Sequence, residues 1–196
     1  MLDQILELDR ALFLKINTEW TNAAFDFIMP YWREAKYWVP LYLAIIGALL
    51  YRFSWKVWPW LLTVGIMMAL SDQLSSNVIK PLVARPRPCN DAVIGAQVRS
   101  LLGYCRDSFS FTSSHAVNHF CIATFIIYTL KPYWGKLVYL FWLWAFTIIY
   151  GQVYVGVHFP VDVFCGSLLG LLLGWSFARM YNRYVGMPVI KKSINK

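Results

Sequence analysis

Long apolar runs along this chain are interrupted by short clusters in which charge, Pro and Gly gather. Near the start the pattern has helical period: Leu2, Ile5, Leu6, Leu12, Phe13 and Ile16 recur on one face, with Asp3, Glu7 and Arg10 opposite. A helix divided in this way suits a membrane interface, its apolar side in lipid and its charges in water. The stretch TNAAFDFIMPYW (21–32) reads as a second short interfacial helix ending near Pro30. Five longer apolar segments follow at about 37–52, 57–80, 113–130, 137–155 and 160–179, close to the ~20 residues that an α-helix needs to cross a bilayer core. Between the second and third lies the main polar stretch, a loop over 81–112 rich in Pro and Gly. The pattern therefore predicts an all-α fold, a polytopic membrane helical bundle of about five transmembrane helices with N-terminal interfacial amphipathic helices. Its expected organisation is an interfacial segment at 1–36, a transmembrane core at 37–182 and a basic cytoplasmic tail at 183–196.

Composition strengthens this picture. Hydrophobic residues make up 59% of the 196 and charged residues 14%, against roughly 45–50% and about 25% in soluble chains. The ten Trp and twelve Tyr suit interfacial aromatic belts. The start, MLDQILELDR, lacks the basic region of a cleavable signal peptide.

The net charge of +8 is informative through its placement and predicts no nucleic-acid partner. Five crossings sort the connections onto two faces. One face carries Arg52, Lys56, Lys131, Lys136, Arg179, Arg183, Lys191, Lys192 and Lys196 with no acid, which the positive-inside tendency assigns to the cytoplasm. The other holds loop 81–112 and the cluster KPLVARPRP (80–88), expected to face the periplasm or exterior of a bacterial inner membrane.

All three histidines, His115, His119 and His158, fall at or within a turn of that outward face. In FTSSHAVNHF (111–120), Ser113 and Ser114 are good N-cap residues, and a helix start offers unpaired N–H groups and a partial positive charge to a phosphate. In YGQVYVGVHFPVDV (150–163), Pro160 suits the first position of the last helix. Asp162, four residues after His158, can orient that imidazole as a nucleophile. Read separately, Ser113 and Ser114 are simple caps, Asp162 a favourable acid at a helix start, and His158 an interfacial histidine. Together with Lys80, Arg85 and Arg87 they describe a site for a multiply charged anion. Asp72, Gln73, Ser76, Asn77 and Lys80 form a polar stripe on the second helix, with Asp72 expected to be a structural partner for a nearby cation. His119 reads as a packing or supporting residue, since HAVNH lacks the glutamate of HExxH and no third ligand is evident. No metal site and no cofactor are expected.

These motifs resemble the type-2 phosphatidic acid phosphatase family, integral membrane lipid phosphatases that share a catalytic core with vanadium haloperoxidases. The family pattern is K-x6-R-P, then P-S-G-H, then S-R-x5-H-x3-D. Lys80, Arg87 and Pro88 complete the first motif; TSSH retains Ser113 and His115 and puts Ser114 at the glycine; His158 and Asp162 complete the end of the third. The resemblance implies a phosphate bound among Lys80, Arg87 and the amides at Ser113–His115. His158, oriented by Asp162, attacks phosphorus to form a phosphohistidine, and His115 serves first as general acid and then as general base. No metal ion is required, because cations supply the charge stabilisation.

One departure stands out. Gly151 and Gln152 occupy the positions of the family's Ser and Arg. Either Arg85 supplies the lost charge or the site is weakened; the expectation adopted is that Arg85 compensates. Cys89 and Cys105, both in the outward loop, are expected to form a disulfide there.

The expected function is hydrolysis of a lipid phosphate monoester or diphosphate, the partners being the bilayer and a lipid substrate. An isoprenoid (undecaprenyl) diphosphate ranks first, followed by lipid A phosphate, phosphatidylglycerol phosphate and phosphatidic acid. Competing readings are a phosphate-binding scaffold that has lost turnover, and a small transporter, which the absence of an internal repeat disfavours.

Overall fold

The computed structural model describes residues 2–188, so the tail lysines Lys191, Lys192 and Lys196 lie outside the described residues. Those residues form helices and no strand. In chain order they are α1 (Leu2–Leu14), α2 (Ala23–Trp32), α3 (Val39–Phe53), α4 (Trp58–Gln73), α5 (Lys80–Val83), α6 (Ser114–Trp134), α7 (Leu140–Tyr154) and α8 (Pro160–Tyr184). A π-helical stretch, Leu74–Ile79, joins α4 to α5. Three helical stretches are long and apolar enough to cross a membrane: Ala35–Asn90, Ser114–Tyr154 and Pro160–Tyr184. The first two are folded back on themselves, at Ser54–Val57 and Gly135–Tyr139.

Helix ends follow local chemistry. Pro40, Pro59 and Pro160 stand in the first turns of α3, α4 and α8, where a missing N–H costs nothing. Ser113 caps α6 by accepting from Ala116 N. The Asp162 carboxylate caps α8 by accepting the Phe159 N–H at 2.9 Å.

The centre of the bundle is the seam between α6 and α8, and small residues make it. A Cβ added at Gly166, Gly170 or Gly174 would lie 2.8, 2.4 or 2.3 Å from the carbonyl oxygens of Ser113, Val117 and Cys121. These glycines recur every four residues, so α8 presents one bare stripe and its backbone lies directly against α6. Asp162 heads the same stripe, and its carbonyl accepts the Ser113 N–H at 3.2 Å. The starts of α6 and α8 are thereby held side by side. Below them Phe125, Leu130 and Tyr181 fill a core shared with Leu49, Val57, Trp60 and Met67 of the α3–α4 hairpin.

The amino-terminal helices depart from the expected division. The protein-facing stripe of α1 and the π-helical turn that continues it, Lys15–Glu19, is Asp9, Phe13 and Asn17, all buried, while Ile5, Leu8 and Leu12 are exposed. Phe13 packs on Phe159 with ring centroids 5.4 Å apart. Asn17 donates to the carbonyls of Arg99 (2.9 Å) and Tyr154 (2.8 Å) and accepts the Arg99 N–H at 2.8 Å. Two of the three inward positions are polar, so α1 is fastened to the loop and to α7 by specific bonds, which a reading of amphipathicity alone does not anticipate. The loop between α5 and α6 is closed by the expected disulfide, Cys89–Cys105.

Candidate active site

Four pieces of chain meet at the amino-terminal ends of α6 and α8: the end of α5 with the RPRP segment, residues 108–110 of the loop, the first turn of α6, and the turn before α8. Lys80 is 8% exposed and its Nζ donates to the Phe109 carbonyl at 2.9 Å. Arg87, 4% exposed, donates from Nε and Nη2 to the carbonyl and hydroxyl of Ser108, and from Nη1 to the Val157 carbonyl at 2.8 Å. Its Nη1 also lies 3.5 Å from His158 Nε2. Both cations are fixed by neutral oxygens, which orient them without cancelling their charge, as an anion site requires.

His158 is 3% exposed, with Nε2 towards Arg87 and Nδ1 towards Asp162. Its Nδ1 is 3.6 Å from Asp162 Oδ2 and 3.4 Å from Ser110 Oγ. Burial pushes the His158 pKa down to about 4, against the opposing pull of Asp162, so the ring is neutral and its Nε2 keeps a lone pair at neutral pH. Asp162, fully buried, accepts from the Ser110 hydroxyl and from Phe159 N at Oδ2, and from Arg85 Nη1 at Oδ1 at 2.7 Å. A carboxylate so fully bonded is held in one orientation.

His115 stands in the first turn of α6 and lines an apolar cavity of about 370 Å³. Ser114 beside it meets the Ser76 hydroxyl at 2.9 Å. His119 stacks on His115, with ring centroids 6.0 Å apart, and its Nδ1 donates to the His115 carbonyl at 2.8 Å. Asp72 accepts from Asn118 Nδ2 at 3.1 Å; the partner is an amide on α6 and not the cation expected.

The structure thus brings together Lys80, Arg87, Ser113, Ser114, His115, His158 and Asp162. It turns Arg85 elsewhere and joins the Gln152 side chain to Arg33. Arg85 lies behind Asp162: Nη1 donates to Asp162, Nη2 to Asp9 at 2.6 Å, and the guanidinium rests 4.0 Å over the Phe159 ring. With a carboxylate on each terminal nitrogen it has no face left for a phosphate, which corrects the expectation that it compensates for Gln152. Gln152 is fully buried and accepts from Arg33 Nη1 at 2.8 Å. The sequence reading missed Ser110, Asp9 and Arg33. Asp9 is one of three acids on α1, with Asp3 and Glu7, and nothing in the local sequence sets it apart. Its Oδ1 accepts the Val161 N–H at 2.8 Å, and burial lifts its pKa despite the Arg85 pair.

Residues 60–185 match the model of the PAP2 superfamily. The chain belongs to this superfamily. A lipid A 4'-phosphatase of Bacteroides thetaiotaomicron is 32% identical over 179 residues, covering 90% of this chain and 78% of that protein. The lipid A 4'-phosphatase of Porphyromonas gingivalis is 30% identical over 184 residues, covering 92% and 75%. The fold matches the crystal structure of the transmembrane PAP2-type phosphatidylglycerolphosphate phosphatase from Bacillus subtilis with a TM-score of 0.68 at 24% identity, over 93% of this chain and 88% of that one. This PAP2 protein is accordingly a membrane lipid phosphatase, a hydrolase.

Proposed function

We propose that the chain removes a phosphate monoester from a glycolipid of the lipid A type, on the outward face of a bacterial inner membrane that it crosses five times. The observation that carries this is the cavity between α3, α4, α6 and α7. Its lining includes Tyr42, Ile45, Trp60, Met68, Ile122 and Phe141 together with Ser114, His115 and His119. A largely apolar cavity whose lining includes a candidate acid in the first turn of a helix suits a phosphate that arrives on a lipid. Two relatives that act as lipid A 4'-phosphatases, each spanning nine-tenths of this chain, favour that lipid over the isoprenoid diphosphate ranked first from sequence. Phosphatidylglycerol phosphate and phosphatidic acid follow.

The chemistry follows from the geometry. The phosphoryl oxygens sit among Lys80, Arg87 and the first amides of α6. His158 Nε2 donates its lone pair to phosphorus, while the Nδ1 proton stays directed at Asp162. The bond from phosphorus to the lipid oxygen breaks, and that oxygen takes its electron pair and a proton from His115. Neutral His115 then takes a proton from water, whose oxygen attacks phosphorus and releases inorganic phosphate and His158. Protein cations stabilise the charge at each step, with no metal ion in the scheme.

The test is phosphate release by purified protein in detergent, with EDTA present. The panel is lipid A, undecaprenyl diphosphate, phosphatidylglycerol phosphate and phosphatidic acid, with His158→Ala alongside. Release from lipid A by the wild type alone is the expected result. Preferred release from another member would overturn the substrate, and release by His158→Ala would overturn the nucleophile.

A further inference from the structure

Resting on that reading, the two departures in the third motif acquire a common explanation in a residue outside all three motifs. Arg33 closes α2 and is 2% exposed. Its Nη1 donates to Gln152 Oε1 at 2.8 Å, and the Gln152 amide returns a bond to the Arg33 carbonyl at 3.4 Å. Gln152 occupies the position where the family has arginine, so the guanidinium delivered by Arg33 stands directly on the end of the side chain that lost one. Gly151, where the family has serine, makes the approach possible: a Cβ there would lie 3.2 Å from the Arg33 Cβ and 3.5 Å from Met29 Sδ. Position 152 adjoins the site through the backbone: the Gln152 carbonyl accepts the Val157 N–H at 3.1 Å, and the Val157 carbonyl accepts Arg87 Nη1 at 2.8 Å.

Arg33 is incompletely satisfied. Nη2 pairs with Glu34, and Nε is buried without a partner. An unpaired N–H of a buried cation is costly and is relieved by an acceptor. Glu34 also reaches Arg106 at 4.0 Å, next to the disulfide. We infer that Arg33 replaces the missing third-motif arginine: carried on α2 and seated by Gly151 and Gln152, it is a substrate-binding residue that contacts the transferring phosphoryl group.

The inference differs from a structural role in one respect: an arginine returned from position 152 should substitute for Arg33. The experiment compares wild type, Arg33→Ala, Arg33→Lys and the triple variant Arg33→Ala/Gly151→Ser/Gln152→Arg in detergent. It reads kcat and KM on the best lipid of the panel, and orthovanadate affinity by calorimetry. Losing one preorganised donor to a transition-state oxyanion typically costs about 100-fold or more in rate. Arg33→Ala is expected to lose about 100-fold in kcat/KM and to bind vanadate more weakly, and the triple variant to regain at least about tenfold of each. Arg33→Lys, which keeps charge and packing, should fall between and covers the case in which the alanine variant does not fold. Unchanged kcat/KM in Arg33→Ala, or a folded triple variant with no recovery, would overturn the inference. Should the wild type hydrolyse no lipid, the proposed function fails while vanadate affinity across the same variants still decides the role of Arg33.

Discussion

Arg85 separates two kinds of role that sequence alone leaves indistinguishable. In the structure its guanidinium joins Asp9 and Asp162, whose side chains are 1% and 0% exposed against 14% for Arg85. Arg85→Gln removes the charge and leaves two buried carboxylates facing each other. Breaking a buried pair by deleting one partner costs about 3–5 kcal/mol, and for a chain of this size each kcal/mol moves the melting temperature by about 2–4 °C. A fall on the order of 10 °C is therefore expected. Because Asp162 loses its fixed orientation, kcat should drop while KM for the lipid changes little. Thermal unfolding in detergent and a full Michaelis–Menten curve measure both. A cycle with Asp9→Asn adds a check: the double variant should be less destabilised than the sum of the singles, since each removes the other's partner. If Arg85→Gln melts with the wild type and raises KM alone, Arg85 binds substrate and the argument fails.

Two further expectations concern pH and packing. His158 has a folded pKa of about 4, below its ordinary ~6.5, so the unfolded chain binds a proton first on acidification. Stability from this group is fully present above ~6.5 and is lost as pH falls towards 4. Correspondingly, the acid limb of kcat/KM that belongs to the nucleophile should lie near pH 4 once the substrate's own ionisation is subtracted; a residual limb at about 6.5, where unshifted imidazole titrates, would show a wet imidazole. In the seam, a Cβ at Gly170 falls 2.4 Å from the Val117 carbonyl oxygen, and Gly170→Val should lower both the melting temperature and turnover. Gly65→Ala, with nothing within 4 Å, serves as the tolerant control, and equal behaviour of the two variants would contradict close α6–α8 packing.

The helices were legible because their signals are long and strongly periodic: α3, α6, α7 and α8 begin and end within about five residues of the apolar runs, whereas the run 57–80 is divided into α4, a π-helical stretch and the start of α5. The cluster of Lys80, Arg87, His115, His158 and Asp162 was legible because each lies at fixed spacing within a local motif. What escaped were residues whose meaning depends on a distant partner. Asp9 and Asn17 look like interruptions of an amphipathic face until α1 is docked on the loop. Ser110 is one of several serines before α6, and only the fold puts its hydroxyl on Asp162. Arg33 closes an aromatic-rich helix end outside every motif, and only the fold brings it to Gln152. The GSLLGLLLG stripe was visible, and its four-residue step could have announced the α6–α8 seam.

That seam bears on how the protein meets membranes of unequal thickness. Gly166, Gly170 and Gly174 set α8 against α6 without intervening side chains, and the candidate acid and the orienting carboxylate sit at the head of the same contact. Bare backbone against bare backbone admits essentially one vertical offset, because a slide along the axis drives a neighbouring side chain into a carbonyl. Thinner or thicker bilayers exert their mismatch on helices that can tilt at modest cost. Here that compliance belongs to the α3–α4 hairpin, joined to the rest through larger, deformable side chains such as Leu49, Trp60 and Met67. The reactive pair therefore rides on a rigid spindle, and the walls of the lipid channel flex around it.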